Sequence, residues 1–450
     1  MNQFIKKSAF LLALPIVILA NSCNKASATL LTKVKSVSNP TFGNVDFEVS
    51  SNDFVKAGFD YDDLIDVTIK DYDGQGHDAT FHTAFVKSFN ETGYFAPCLC
   101  NYEGTKEYFE LNFAIDPLKN ISSTFIGKDV EFRVTKKAGY KKKRELVNVS
   151  KKLTYEELGG DNSSFANFRD VAISGAVYRT IIPQKLYRGS SPFNFNDNPD
   201  DRNKFADDLM KFYDIENEIS LSCSLEDIND KYMKYLDDTS LTYEKWTKSY
   251  EYNEASKKIE PIGEPKNRVF CSVNLGTDFF NIEKEGVDGC AVRDVLQYMV
   301  ERINNGGENF KFYIHCNEGK DRTAFLIMLL EALAGVPLKD IVLDYMMTFK
   351  NYYNVSVVNN KEKYDTLAEL GIYRYLYSIL INDPLVNLPK VDWYTFSATE
   401  TVKDKVNKDP DALRKGAIQY LKKVIKFDQT EDEDKINTLI KWLTGEEQQK

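Results

Sequence analysis

The chain has 450 residues, with 58 Lys plus Arg against 68 Asp plus Glu (net −10), 42% hydrophobic residues, 7 Cys and 3 His. That length suits two or three domains of ~150 residues each, in a composition ordinary for globular protein. The acidic balance argues against a nucleic-acid binder, and His77, His82 and His315 leave little material for a His-built metal centre.

The first residues read as an address. Lys6-Lys7, the apolar run Ala9 to Ala20, and Asn21-Ser22-Cys23 have the charged start, apolar middle and small-residue end of an export signal over residues 1–22. The run is short of the ~20 residues a membrane-spanning helix needs, so cleavage is expected. A run ending at a cysteine resembles the lipobox of bacterial lipoproteins, whose Cys is diacylated and becomes the mature N-terminus. The resemblance implies a lipid anchor at Cys23 on the outer face of a bacterial membrane; plain secretion and an uncleaved anchor are the other readings, and all three export the chain. Export permits disulfides, yet Cys98, Cys100, Cys223, Cys271, Cys290 and Cys316 form no dense framework, and buried free thiols are expected for most.

Residues 23–40 are rich in Ser, Ala, Asn and Lys without a clear apolar period, as a tether would be. Residues 41–155 then show period-two alternation, as in Ile65-Asp66-Val67-Thr68-Ile69 and Val130-Glu131-Phe132-Arg133-Val134, with turn chemistry at Asp71 to Gly76. The alternation predicts a small, sandwich-like antiparallel β-domain. The basic run Lys136 to Arg144 reads either as a solvated hairpin tip or as a patch for anionic lipid or polymer.

Gly159-Gly160-Asp161-Asn162-Ser163-Ser164 marks a boundary, beyond which the pattern becomes α/β. A β-rich stretch spans Glu218 to Ser224, an amphipathic helix Val292 to Ile303, and an apolar strand Phe310 to Ile314. A charged, Tyr-dotted insert over 231–266 is a candidate lid.

The passage Phe310-Lys311-Phe312-Tyr313-Ile314-His315-Cys316-Asn317-Glu318-Gly319-Lys320-Asp321-Arg322-Thr323 carries the chemistry: a strand, a tight loop and the start of a helix. A loop at a helix N-terminus gathers N–H groups and the positive end of the dipole, which suits an anion and favours thiolate at Cys316. Arg322 can offer its planar fork to two phosphate oxygens, and Gly319 supplies the backbone freedom to curl.

His315-Cys316-x-x-Gly319-x-x-Arg322-Thr323 resembles the P-loop of the cysteine-dependent tyrosine and dual-specificity phosphatases, and Gly319-Lys320-Asp321-Arg322 is closest to the atypical bacterial members. Phe168-Arg169-Asp170-Val171 and Leu186-Tyr187-Arg188-Gly189-Ser190-Ser191-Pro192 resemble the opening strand and turn of that family, and Ala417 to Leu443 its closing helical pair. The resemblance implies an α/β phosphatase domain over 165–450, a central sheet flanked by helices, needing no metal or other cofactor. It implies Cys316 as nucleophile, Arg322 and the loop residues Asn317, Glu318, Gly319 and Lys320 around the phosphate, Thr323 assisting the sulfur, and His315 as an orienting residue. The general acid stays open among Asp278, Asp321 and Asp227, because no Trp is followed by Pro-Asp. Arg188 is expected either to brace the loop or to touch substrate. Phosphotyrosine protein is the implied substrate, with phosphoinositides or inositol polyphosphates as the alternative; a non-catalytic phosphate-recognising envelope protein is the reading from another class.

Overall fold

Alternating apolar and polar residues in the first third of the chain put one side of each strand into a common core and the other into solvent. The computed structural model describes residues 28–39, 44–100, 108–113, 122–149, 151–172, 180–192, 202–215, 217–222, 249–253, 258–262, 269–272, 291–306, 310–381, 391–427 and 434–445. Two units result. One comprises Met1–Phe89, Pro97–Asn112 and Leu118–Lys141; the other comprises Asn90–Ala96, Phe113–Pro117 and Lys142–Lys450.

In the first unit, β1 (Thr29–Asn39), β2 (Asn44–Ser50), β3 (Leu64–Ile69), β4 (Ala79–Val86), β5 (Pro97–Cys100), β6 (Tyr108–Phe113) and β7 (Asp129–Lys136) close into a barrel, in the order β1-β2-β6-β5-β4-β3-β7. The expected sandwich is therefore a closed barrel, an arrangement that leaves no edge strand open to further pairing. Nor is it wholly antiparallel, since β4 and β5 run parallel. A short helix, α1 (Ser51–Lys56), is capped by Ser50, whose Oγ accepts from Asp53 N at 3.1 Å. It sends Phe54 into the core, stacked on Phe59 with ring centroids 4.1 Å apart and edge-on to Phe85 and Phe132.

Two expectations for this region change. The stretch read as a tether contains β1, which buries Leu30 and Val34 and pairs with both β2 and β7. Register shifts between Val34 and Ser36 and between Val37 and Asn39 break its alternation, and so its signature. The basic run is no hairpin tip. β7 ends at Lys136, and α2 (Lys141–Val147) follows a turn. Lys137 Nζ lies 2.8 Å from the buried Asp63 carboxylate, and Lys143 Nζ donates to Tyr394 O at 2.8 Å. The division between units thus falls at Lys141 rather than beyond 155.

The second unit holds α3 (Asn162–Phe165), β8 (Arg169–Asp170), β9 (Leu186–Gly189), α4 (Arg202–Phe212), β10 (Asn217–Ser220), the pair β11 (Ser249–Asn253) and β12 (Lys258–Ile262), β13 (Val269–Ser272), α5 (Ala291–Gly306), β14 (Phe312–His315), α6 (Arg322–Leu333), α7 (Leu338–Tyr353) and α8 (Lys361–Ala368). A π turn (Glu369–Tyr373) leads into α9 (Arg374–Ile381), followed by α10 (Ala398–Lys408), α11 (Ala412–Lys423) and α12 (Asp434–Thr444). The sheet order is β13-β10-β14-β9-β8, with β8 antiparallel to β9 and the other pairings parallel. β14 is central and wholly buried, as a strand covered on both faces must be. α6 is buried on every side from Thr323 to Leu333, the mark of a helix at the centre of a domain rather than on its surface. A parallel strand feeding such a helix brings its C-terminal end, the helix N-terminus and the ends of β10 and β9 together, where sheets of this type form their sites. Within the lid insert 231–266 the described part is the antiparallel pair β11–β12.

Candidate active site

Between His315 at the end of β14 and Arg322 at the start of α6, six residues reverse the chain. Gly319 has φ +66°, the left-handed region that favours glycine. Space forbids a side chain there as well: a Cβ on Gly319 would sit 2.1 Å from the Gly189 carbonyl oxygen. The loop is pressed directly onto the backbone at the end of β9.

Five successive carbonyls, from His315 to Gly319, have hydrogen-bonding partners. Leu221 N donates to His315 O at 2.9 Å, and Ser191 N to Asn317 O at 3.1 Å. His315 Nδ1 lies 3.3 Å from Cys316 O, Asn167 Nδ2 donates to Glu318 O at 3.0 Å, and Arg188 Nη2 donates to Gly319 O at 2.6 Å. With the oxygens engaged, no acceptor among the described residues takes the backbone N–H of Asn317 through Asp321. Successive N–H groups left open at a helix N-terminus suit an anion, and the α6 dipole reinforces this.

Cys316, the first residue of the loop, is a free thiol, 6% exposed. Arg322 Nη1 donates to Leu221 O at 3.2 Å, which steadies the guanidinium at the end of β10. Thr323 Oγ is buried with no hydrogen-bond partner among the described residues. His315 is buried beside Glu218, with Nε2 2.8 Å from Oε1, so both ring nitrogens are anchored.

Behind the loop lies a buried ionic brace. Arg188 is 1% exposed; its Nη1 donates to Asp344 and its Nη2 to Gly319 O. Arg169 Nε meets the other Asp344 oxygen at 2.7 Å, and its Nη1 donates to Asn167 Oδ1 at 2.8 Å. Arg188 therefore ties the loop to Asp344. Glu331 of α6 belongs to the same charged cluster; burial, then Asp344, pushes its carboxyl well above the usual range.

The loop's own charges are also paired. Glu318 meets Lys152 at 2.7 Å and Lys320 at 3.2 Å. Burial opposes its ionisation, yet the two lysines hold its carboxyl below the usual range. Lys320 is likewise opposed by burial and yet held well above the ordinary lysine range by Asp321 and Glu318. Its ammonium lies 6.0 and 5.9 Å from the Phe349 and Tyr353 ring centres, so it is folded inward rather than extended into solvent. Asp321 accepts a hydrogen bond from Tyr94 through Oδ1 and lies 3.8 Å from Lys320 through Oδ2.

The structure thus gathers His315, Cys316, Asn317, Glu318, Gly319, Lys320, Asp321, Arg322, Thr323 and Arg188 into one neighbourhood. Asp278, Asp227 and the expected lipidation site Cys23 lie outside the described residues. Sequence reasoning missed Glu218, Asn167, Asp344 and Tyr94. Asn167 precedes the noted Phe168-Arg169-Asp170, and Glu218 opens the noted β-rich stretch, so both stood beside a signal; Asp344 and Tyr94 had none.

A mixed sheet flanked by helices, with a cysteine loop at the N-terminus of the central helix, has the form of an α/β phosphatase. The family model described as the tyrosine phosphatase family matches residues 161–440, more than half of the chain. The chain belongs to that family. No curated protein matches it. Among solved structures, an uncharacterized conserved protein from Thermotoga maritima is similar at 19% identity over 29% of this chain and 42% of its own, with a TM-score of 0.21.

Proposed function

We propose that the protein hydrolyses phosphate monoesters through a cysteinyl-phosphate intermediate, with phosphotyrosine in proteins as the substrate. The observation that carries this reading is the Cys316 loop, with its carbonyls engaged and the N–H groups of 317–321 left without acceptors among the described residues. Cys316 Sγ attacks phosphorus as the bond to the leaving oxygen breaks, and Asp321 gives that oxygen its proton. Arg322 and the loop amides hold the equatorial oxygens, where charge is concentrated in the transition state. Water then attacks phosphorus, Asp321 takes the proton, and the S–P bond breaks to release phosphate and restore the thiolate. Thr323 Oγ, buried and without a hydrogen-bond partner among the described residues, is free to donate to the departing sulfur.

The pairing of Lys320 with Glu318 and Asp321 favours a singly phosphorylated substrate over an inositol polyphosphate, because the extra cation such a polyanion would need is already neutralised. The pattern of residues 1–23 supports export with lipidation at Cys23, which would put hydrolysis at the cell envelope. The test is hydrolysis of p-nitrophenyl phosphate by the intact protein and by Cys316→Ser, followed by comparison of phosphotyrosine peptide with inositol hexakisphosphate. Turnover that vanishes in Cys316→Ser and prefers the peptide is expected. No turnover by the intact protein sinks the enzymatic reading, and preference for the inositol phosphate sinks the substrate.

A further inference from the structure

We infer that Tyr94, a residue outside the family-matched region 161–440, is a positioning residue that fixes the Asp321 carboxylate at the mouth of the Cys316 loop. The inference rests on the hydrolytic reading above and adds a residue to it. In sequence, residues 90–96 fall between barrel strands β4 and β5, yet they belong to the second unit.

A built receptor holds them there. Gly93 has φ +80°, and a Cβ on it would come within 2.7 Å of Leu370 Cβ and 2.9 Å of Leu370 O, so this close approach needs glycine. Tyr94 N donates to Leu370 O at 3.0 Å; Leu370 lies in the π turn, where hydrogen bonding leaves the α register, a deviation frequent at functional sites. Buried Arg374 donates through Nη1 to Tyr94 O at 2.7 Å and through Nη2 to Trp393 O at 2.6 Å. The Tyr94 ring stacks on Tyr375 at 4.2 Å with the planes 18° apart, and Tyr375 packs edge-on against Phe325 of α6. Backbone and ring are therefore held on separate partners, and the hydroxyl is delivered to Asp321 Oδ1.

Asp321 itself points the same way. It occupies the N-cap position of α6, where an aspartate ordinarily accepts from the first turn, but its side chain makes no capping bond. Its carboxylate is held by Tyr94 instead. Burial, then the Asp321 charge, keeps the Tyr94 phenol well above its ordinary range, which favours its hydrogen-bond donor form.

The experiment is a double-mutant cycle on p-nitrophenyl phosphate hydrolysis with Tyr94→Phe, Asp321→Asn and both together. Tyr94→Phe keeps the stack on Tyr375 and removes only the hydroxyl. Expected is a roughly tenfold loss in kcat with KM changed less than about twofold, and a further loss below about twofold when the change is made in Asp321→Asn. An unchanged kcat in Tyr94→Phe, or the same tenfold loss in the Asp321→Asn background, overturns the inference while leaving hydrolysis intact. Activity absent from the intact protein, or retained in Cys316→Ser, overturns the hydrolytic reading itself and the positioning role with it. Should Tyr94→Phe melt early, the ratio between the two backgrounds still decides, because a purely structural loss appears in both.

Discussion

Replacing Gly319 by alanine tests whether the loop's contact with β9 sets its catalytic shape. The added Cβ would stand 2.1 Å from Gly189 O and 2.5 Å from Gly189 C, both backbone atoms of a sheet strand that cannot swing aside as a flexible side chain would. To reach the 3.4 Å at which ordinary contact begins, the loop must retreat by about 1.3 Å. The residue must also hold φ +66°, a strain of about 1–2 kcal/mol for a side-chain-bearing residue. A retreat of that size breaks the 2.6 Å bond from Arg188 to Gly319 O and turns the neighbouring amides away from the anion. Misplacement by about 1 Å costs on the order of 100-fold in rate, so kcat/KM for Gly319→Ala should fall at least that far. The assay is steady-state hydrolysis of p-nitrophenyl phosphate alongside thermal melting, which separates a displaced loop from an unfolded chain. A variant that keeps its fold and more than about a third of wild-type activity would refute the argument, since it would mean the loop shape tolerates the shift.

Removing the brace should cost stability as well as rate. Arg188→Met leaves Asp344 with Arg169 alone and the Gly319 carbonyl without its donor, and breaking a buried pair of this kind costs about 3–5 kcal/mol. Denaturant unfolding reads it, and a loss under about 1 kcal/mol would show that Arg169 by itself neutralises Asp344. Glu331 gives a pH signature. Its carboxyl is pushed up in the fold by burial and Asp344, so the stability tied to its proton is fully present below the ordinary value of 4.5 and is lost as pH rises toward the folded value. Glu331→Gln keeps the shape and removes the titration, so its melting temperature should gain on wild type as pH rises above the ordinary value of 4.5. A gap that stays constant with pH contradicts the assignment.

What the sequence determined by itself was local. The string from Phe310 to Thr323 declared a strand, a loop and a helix, because apolar run, glycine and helix start all lie within a few residues of one another. The same string gave the family resemblance and the nucleophile candidate, and period-two alternation gave a β-domain before it. Tertiary structure decided whatever depended on distant partners. Asp344 meets Arg188 across 156 residues, Asn167 reaches Glu318 across 151, Glu218 anchors His315 across 97, and Tyr94 reaches Asp321 across 227. No periodicity records such pairings, since a buried polar side chain is satisfied by whichever group the fold brings within hydrogen-bond reach. Closure of the barrel and the strand character of residues 29–39 were hidden for a related reason: pairing between strands, including its bulges, fixes them, and a single strand's residue pattern does not carry the register of its neighbours.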